Sequence, residues 1–122
     1  SPKDIITGVQ RGVDMFECVL PTRLARHHVA ITRTGRLNIA NAKYSSDASP
    51  IDDGCSCYAC RNFSRAYLRH LVLAKEILGA TLLTSHNLNT LFTLMSSIRM
   101  AIIQRQFGQF AADFLEHWEG AS

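Results

Sequence analysis

Three cysteines between positions 55 and 60 constrain the fold of this chain more than any other feature of its sequence. Such a cluster is a poor layout for disulfides and a good one for a metal site, because close thiolates can share one ion. Three thiolates and one imidazole are a common ligand set of structural zinc sites. The spacing Cys55-x-Cys57-x2-Cys60, with His86 downstream, therefore predicts a bound zinc ion. Three free, buried cysteines are the alternative.

A zinc ion at this position would cross-link the cysteine loop to a later helix. It would supply stability that the hydrophobic core of a small domain does not provide alone. The remaining histidines are poorer ligand candidates, being remote in sequence or better explained as packed or surface residues. These histidines are His27, His28, His70 and His117. The leftover thiol, Cys18, is interpreted as a small buried residue rather than a nucleophile.

The composition favours a small, non-membrane protein with a packed core. The chain has 122 residues, of which 47% are hydrophobic, and this length suits one domain or a piece of one. It contains neither a long uninterrupted apolar run nor a signal-peptide pattern, so we expect a cytoplasmic protein without a membrane partner.

Arginine dominates the basic residues, although the formal net charge is only +3. Ten of the 13 basic residues are Arg, which offers a planar fork for phosphate where Lys offers a point charge. The bias is compatible with nucleic-acid binding and equally with a GC-rich genome or ordinary surface chemistry.

The first 26 residues are typical of an α/β unit. Ser1, Pro2 and Asp4 form a helix start, and Gly12 is expected to end that helix. The apolar run 14–20 is too short for a helix and is interpreted as a buried strand, which suggests a parallel sheet. A lone parallel-type strand leaves backbone groups unpaired, so the beginning of the chain is expected to be the end of something larger.

A hairpin, a loop and three helices are predicted to follow. Thr34-Gly35 is a turn signal between two short apolar segments, which predicts a hairpin over 29–41. The polar stretch 43–54 is expected to be a loop. The helices are predicted over 63–78 (with Asn62 as a possible cap and Gly79 as the stop), 87–105 and 107–118.

The motifs in this chain resemble those of the tRNA-guanine transglycosylases, also called queuine tRNA-ribosyltransferases, and the bacterial branch fits best. The resemblance runs in family order across nearly the whole chain. It is carried by the segments Gly12-Val13-Asp14-Met15-Phe16, Cys18-Val19-Leu20-Pro21-Thr22-Arg23, Asn38-Ile39, Asn41-Ala42-Lys43-Tyr44, the cysteine cluster, Arg61 through Leu68, Glu76-Ile77-Leu78-Gly79, Leu82-Leu83-Thr84 and His86-Asn87.

The resemblance implies a fold and a division of the chain. The family fold is a (β/α)8 barrel with an inserted zinc-binding subdomain, so the chain would be a helix-rich, C-terminal α/β fragment of such a barrel. Residues 1–26 would be the last helix-strand unit, 27–86 the hairpin and zinc-binding subdomain, and 87–122 the C-terminal helices. The base-binding pocket and a second catalytic aspartate would lie upstream.

The resemblance also implies a reaction, namely the exchange of guanine 34 in the tRNA anticodon for a 7-deazaguanine (preQ1) during queuosine biosynthesis. A carboxylate attacks the ribose C1′, guanine leaves, and the new base attacks the same carbon, as in retaining glycosidases. The expected partners are the anticodon loop, the 7-deazaguanine base and a second copy of the chain. The fragment alone would be inactive without its base pocket.

Glu17 stands where the family pattern has the nucleophilic Asp. The carboxylate is kept but moved by one methylene, about 1.5 Å, and a misplacement of about 1 Å can cost on the order of a hundredfold in rate. A working natural variant, an inactive paralogue and an engineered change remain alternatives, as does a purely structural acid at a strand end.

Arg23 and Arg26 match family positions beside the target base, so they are the candidate RNA-binding residues, with two ordinary surface arginines as the alternative. Arg33, Arg36, Arg61 and Arg65 could extend that surface or, near the cysteines, balance their charge. Apolar stripes on the last two helices are explained by core packing, or in part by a homodimer interface.

Two functions follow from these patterns. The first is the C-terminal part of the transglycosylase, a pentosyltransferase when complete. The alternative is a non-catalytic zinc module or paralogue that binds tRNA or a partner subunit.

Overall fold

The computed structural model describes residues 1–12 and 20–118, which form helices around one short hairpin. No helix in these two ranges is long and apolar enough to cross a membrane. The helices are α1 (Pro2–Gln10), α2 (Leu20–Arg26), α3 (Tyr58–Asn62), α4 (Arg65–Leu73), α5 (Ile77–Ile103) and α6 (Phe107–His117). The strands are β1 (Val29–Ile31) and β2 (Arg36–Asn38), followed by a 3-10 turn at Ala42–Tyr44.

The predicted helix start is confirmed. The Ser1 side chain accepts from the backbone N–H of Asp4, and the Asp4 side chain bonds back to the N-terminus, which makes a capping box. Gly12 lies two residues beyond the helix with φ of 93°, a conformation that glycine adopts without steric cost.

The predicted strand 14–20 lies outside the described residues except for its last member, and so do Glu17 and Cys18. At Leu20 the strand prediction is wrong, because α2 begins there. Pro21 follows in the first turn of that helix, where a missing N–H costs nothing. In the described part of the chain, the proline therefore belongs to the start of a helix.

The predicted hairpin is confirmed, with Val29 opposite Asn38 and Ile31 opposite Arg36 in an antiparallel register. Within the described ranges the sheet has these two strands, so the parallel sheet expected from the α/β pattern is not seen there. The expected helix-rich character is confirmed.

The predicted boundaries of the middle helices are wrong. Ser64, not Asn62, caps α4 by accepting from the N–H of Tyr67. The chain turns at Lys75, which takes the left-handed conformation (φ of 59°) usual for glycine at a helix end. Gly79 lies inside α5 rather than before it. A Cβ at this position would lie only 3.0 Å from Val72 Cγ1 in α4. The glycine permits close packing against α4 rather than ending a helix.

α5 runs through two hydrophobic cores, and the last predicted helix is confirmed as α6. The first core, called here the ligand-side core, includes Ala30, Leu37, Ile51, Leu68 and Leu83. The second, called the C-terminal core, joins α1, α5 and α6 through Ile5, Ile6, Leu91, Leu94, Ile98 and Ala111. The predicted α5 stripe is therefore divided, since Leu91, Leu94 and Ile98 are buried and Ile102 and Ile103 are exposed.

Candidate metal centre

The four predicted metal ligands meet between α3 and the first half of α5. Cys55 precedes α3, Cys57 is its N-cap, and Cys60 lies within it. His86 projects from α5 and is fully buried. The ligand atoms of all four residues lie within 4.8 Å of one another, so the cluster can hold a metal ion.

The spacing of the donor atoms fits a tetrahedral ion. His86 Nδ1 lies 3.7 Å from the Sγ of Cys55, 3.3 Å from that of Cys57 and 3.4 Å from that of Cys60. Bond lengths of about 2.3 Å for sulfur and 2.0–2.1 Å for nitrogen put S and N about 3.5 Å apart around zinc. Four protein donors would leave no open position for water, which is the design of a structural rather than a catalytic site.

The orientation of the His86 ring is set by its second nitrogen. Nε2 lies 2.8 Å from the backbone carbonyl oxygen of Ile31, and Thr90 Oγ1 lies 3.3 Å away. A carbonyl only accepts, so Nε2 carries a proton and Nδ1 faces the thiols. Such a hydrogen bond on the far side of the ring is the usual way proteins orient a metal-binding histidine.

Burial and neighbouring groups shift the three thiols in different directions. Burial raises the pKa of Cys55, and it raises that of Cys60 together with the negative charge of Cys57. Burial also pushes the pKa of Cys57 upward, but hydrogen bonds with His86 and the Cys60 amide lower it to about 6. The bond with His86 lowers this pKa only while Nδ1 carries a proton, and a binding ion would displace that proton together with the thiol protons.

Two arginines hold the loop that leads into the cluster. Arg65 donates to the carbonyls of Pro50 and Ile51, both at 2.9 Å, and forms an ion pair with Asp47 at 3.2 Å. Arg33 in the hairpin turn donates its backbone N–H to Asp52 at 2.9 Å. The sequence patterns suggested a basic surface for both arginines and, for Arg65, balance of the cysteine charge, whereas their contacts here organise the loop.

Asn87, next to His86, is a fully buried polar residue that sequence reasoning treated only as part of a family motif. Its Oδ1 accepts from the N–H of Ile31 at 2.8 Å. Its Nδ2 donates to the carbonyls of Pro21 and Val29 at 3.2 and 3.1 Å. No signal in a single sequence separates such an asparagine from one at a surface cap.

The other predicted site residues lie apart from the cluster. Arg23 and Arg26 are exposed on one face of α2, three residues apart, and Leu24 and Ala25 are buried on its inner face. His86 is the histidine that joins the cysteines within the described part of the chain. Glu17 lies outside that part.

Comparison with known proteins gives one consistent family. The family model described as Queuine tRNA-ribosyltransferase matches residues 1–120. A protein named Queuine tRNA-ribosyltransferase from Pelotomaculum thermopropionicum is 53% identical over 120 residues, 98% of this chain and 32% of the relative. One of the same name from Symbiobacterium thermophilum is 52% identical over 118 residues, 97% of this chain and 30% of the relative.

A third relative of this name, from Listeria welshimeri, is 50% identical over 118 residues, which is 97% of this chain and 31% of the relative. The chain thus spans about a third of the length of the relatives it matches. Because the family model covers nearly all of the chain, the chain belongs to the queuine tRNA-ribosyltransferase family.

Proposed function

We propose that this chain is the C-terminal part of a tRNA-guanine transglycosylase that exchanges guanine 34 of the anticodon for preQ1 in queuosine biosynthesis. The observation that carries the proposal is the family match over residues 1–120, together with the four convergent ligands. The test is incorporation of labelled guanine into tRNA by the full-length parent. No incorporation by a folded, metal-loaded parent that contains Asp at position 17 would refute the proposal.

For Glu17 we propose the role of nucleophile on the ribose C1′. Its carboxylate would form the covalent ribosyl intermediate from which the 7-deazaguanine base displaces the enzyme. Glu17→Asp in the full-length parent should raise the incorporation rate by about a hundredfold, because a shift of about 1 Å in a reacting group has that effect. Glu17→Gln should abolish incorporation. A Gln variant as active as Glu would exclude the nucleophile role.

The proposed resident ion is structural Zn²⁺. Three thiolates and one imidazole suit zinc, and their distances fit its tetrahedral geometry. Held there, the ion would supply a cross-link between α3 and α5. Elemental analysis of purified chain should find one zinc per chain, and its absence, or another metal in the same ratio, would count against this assignment.

Arg23 and Arg26 are proposed to contact the anticodon loop. Their exposure on one face of α2 leaves both guanidinium groups free to reach RNA phosphates or a base edge. Replacing either with Ala should weaken binding of an anticodon stem-loop by about tenfold, which corresponds to one lost arginine contact. A filter-binding assay measures this, with exposed Arg99→Ala as the control.

The division into 1–26, 27–86 and 87–122, as parts of a (β/α)8 barrel with its zinc-binding subdomain, is also proposed from the family. In spatial terms α5 continues through the boundary at 86, so the second and third segments would share one helix. A structure of the full-length parent would test this architecture.

The proposed partners are a second copy of the chain and the 7-deazaguanine base, and the proposed location is the cytoplasm. Exposed apolar side chains support an interface between copies, among them Phe92 (67% exposed) and Ile103 (65% exposed). Sedimentation of the full-length parent at several concentrations tests the homodimer.

A second candidate function, a non-catalytic zinc module or paralogue that binds tRNA or a partner subunit, is favoured by one observation, the Glu at position 17. Under this alternative the full-length parent would bind the anticodon stem-loop through Arg23 and Arg26 without incorporating guanine. Incorporation by the natural, Glu17-containing parent would exclude it.

A further inference from the structure

Asn87 is a buried junction between three elements of the chain. Its side-chain oxygen accepts from β1 at the Ile31 N–H, and its amide nitrogen donates to β1 at Val29 and to the start of α2 at Pro21. One orientation of the amide satisfies all three partners, because Ile31 offers an N–H and the other two residues offer carbonyl oxygens.

These bonds have a directional role that the apolar contacts of α2 cannot supply. Leu24 and Ala25 bury the inner face of α2, but hydrophobic burial is non-directional and tolerates sliding or rotation of a short helix. The bond to the carbonyl of Pro21 ties the first turn of α2 to a single point on α5. An unmade hydrogen bond at this fully buried position would be costly, so alternative placements of α2 are disfavoured.

The metal centre anchors the other end of this connection. His86 precedes Asn87 and bonds to the carbonyl of Ile31, while Asn87 bonds to the N–H of the same residue. Both backbone groups of Ile31 are therefore held by consecutive side chains of α5. The helix segment that contributes a metal ligand is also the segment that holds β1 and α2.

We propose that Asn87 is a positioning residue for RNA binding: it fixes α2 on the metal-anchored segment of α5, so that Arg23 and Arg26 face the RNA together. This inference rests on the proposed function, since it takes anticodon RNA as the ligand of the two arginines. Asn87 itself is buried and does not touch RNA; it acts through the placement of α2.

Asn87→Asp is the variant that tests the inference most directly. It keeps the volume and the acceptor for the Ile31 N–H, and it removes the amide donor, since a carboxylate has no donor for Pro21 and Val29 and a protonated carboxyl can bond to only one of them. The matched control is Asn62→Asp, which removes the donor to the Tyr58 carbonyl at an exposed site. In the metal-loaded chain, Asn87→Asp should weaken binding of an anticodon stem-loop by about tenfold, the scale of one lost arginine contact.

A merely structural role makes different predictions for zinc dependence and for additivity. If Asn87 acts through α2, the loss of RNA affinity should remain at saturating zinc, where even a weakened metal site is occupied. Adding Asn87→Asp to an Arg23→Ala, Arg26→Ala chain should then cause no further loss of RNA affinity. Additive losses, or RNA affinity that saturating zinc restores, would overturn the positioning role.

Hydrogen exchange without RNA separates this inference from the proposed function. The N–H groups of His27 and His28, which bond to carbonyls within α2, should exchange about tenfold faster in Asn87→Asp, whereas those of α6 should not change. Unchanged exchange in α2 refutes the positioning role, and a wild-type chain that fails to bind the stem-loop refutes the RNA contact instead. If Asn87→Asp does not fold, Asn87→Ser takes its place, and unchanged exchange and RNA affinity there overturn the inference equally.

Discussion

The ligand-side core and the C-terminal core share helix α5 but are closed by different interactions. Around the first half of α5, hydrogen bonds from Asn87 and His86 and the four convergent ligands tie the helix to the hairpin and α3. Around the second half, apolar residues of α1 and α6 supply the packing. There Met100 and Ile102 remain 51% exposed and Ile103 65% exposed.

The difference indicates what each half of the helix can tolerate. Directional bonds and metal ligands allow one arrangement, so the first half is suited to holding functional groups in place. Apolar packing is stabilised by buried area and accepts several arrangements of similar volume. The spare apolar surface on the second half is available for a partner. Four predictions, ordered by expected effect, test this contrast.

The largest effect is expected from removing one ligand. Cys57→Ser should eliminate most of the stabilisation from a structural zinc site, about 10 kcal/mol or more, and unfold the ligand-side core. Circular dichroism melting with and without a chelator measures it. The wild type should lose stability when the chelator is added, whereas Cys57→Ser should already be unstable and should not respond to the chelator. If the chelator leaves the melting temperature of the wild type unchanged, the proposed difference between the two cores is wrong.

Leucine truncation in each core should cost a similar amount of stability but affect the metal differently. Leu83 is buried beside the ligands and Leu94 is buried against α6 and α1. Each Leu→Ala change should lower the free energy of unfolding by about 2–5 kcal/mol through cavity formation. Zinc affinity, measured by chelator competition, should fall for Leu83→Ala and stay unchanged for Leu94→Ala. Equal losses of zinc affinity would mean that the two cores act as one unit.

Two glycines offer a smaller and opposite pair of effects. A Cβ at Gly79 would lie 3.2 Å from both Leu71 Cβ and the backbone nitrogen of Val72, whereas a Cβ at Gly108 would meet nothing within 4 Å. Gly79→Ala should therefore destabilise by about 1–3 kcal/mol through overpacking. Gly108→Ala, in a helix, should stabilise by about 0.5–1 kcal/mol. Urea unfolding compares the two, and a neutral Gly79→Ala would show that α4 and α5 separate easily.

The smallest change in stability is expected on the exposed face. Phe92→Ser should alter the free energy of unfolding of the monomer by no more than about 0.5 kcal/mol, because the ring is exposed. The same variant should weaken self-association of the full-length parent if this face is the interface. Sedimentation at matched concentrations reports the second effect, and exposed Arg99→Ala is the control. A large loss of monomer stability would place Phe92 in the C-terminal core instead.

Much of the secondary structure could be predicted because its signals are local. The capping box at Ser1, the turn around Gly35 and the apolar spacing of α6 each involve residues within one or two turns of each other. The break between α4 and α5 could not be predicted, because the residue that takes the left-handed conformation there is Lys75, whereas sequence patterns expect glycine in that conformation. Gly79, which the sequence pattern marked as a helix stop, instead allows α5 to pack closely against α4.

The candidate metal ligands were available from the sequence alone, because a dense cysteine cluster with a downstream histidine has few other chemical uses. The family followed from motifs in order along the chain. What only the tertiary structure decided is how those ligands are supported. Asn87 bonds to Pro21, and Arg65 bonds to Pro50, across long stretches of chain. Such partners depend on how helices pack, and packing is a property of the whole fold rather than of any local pattern.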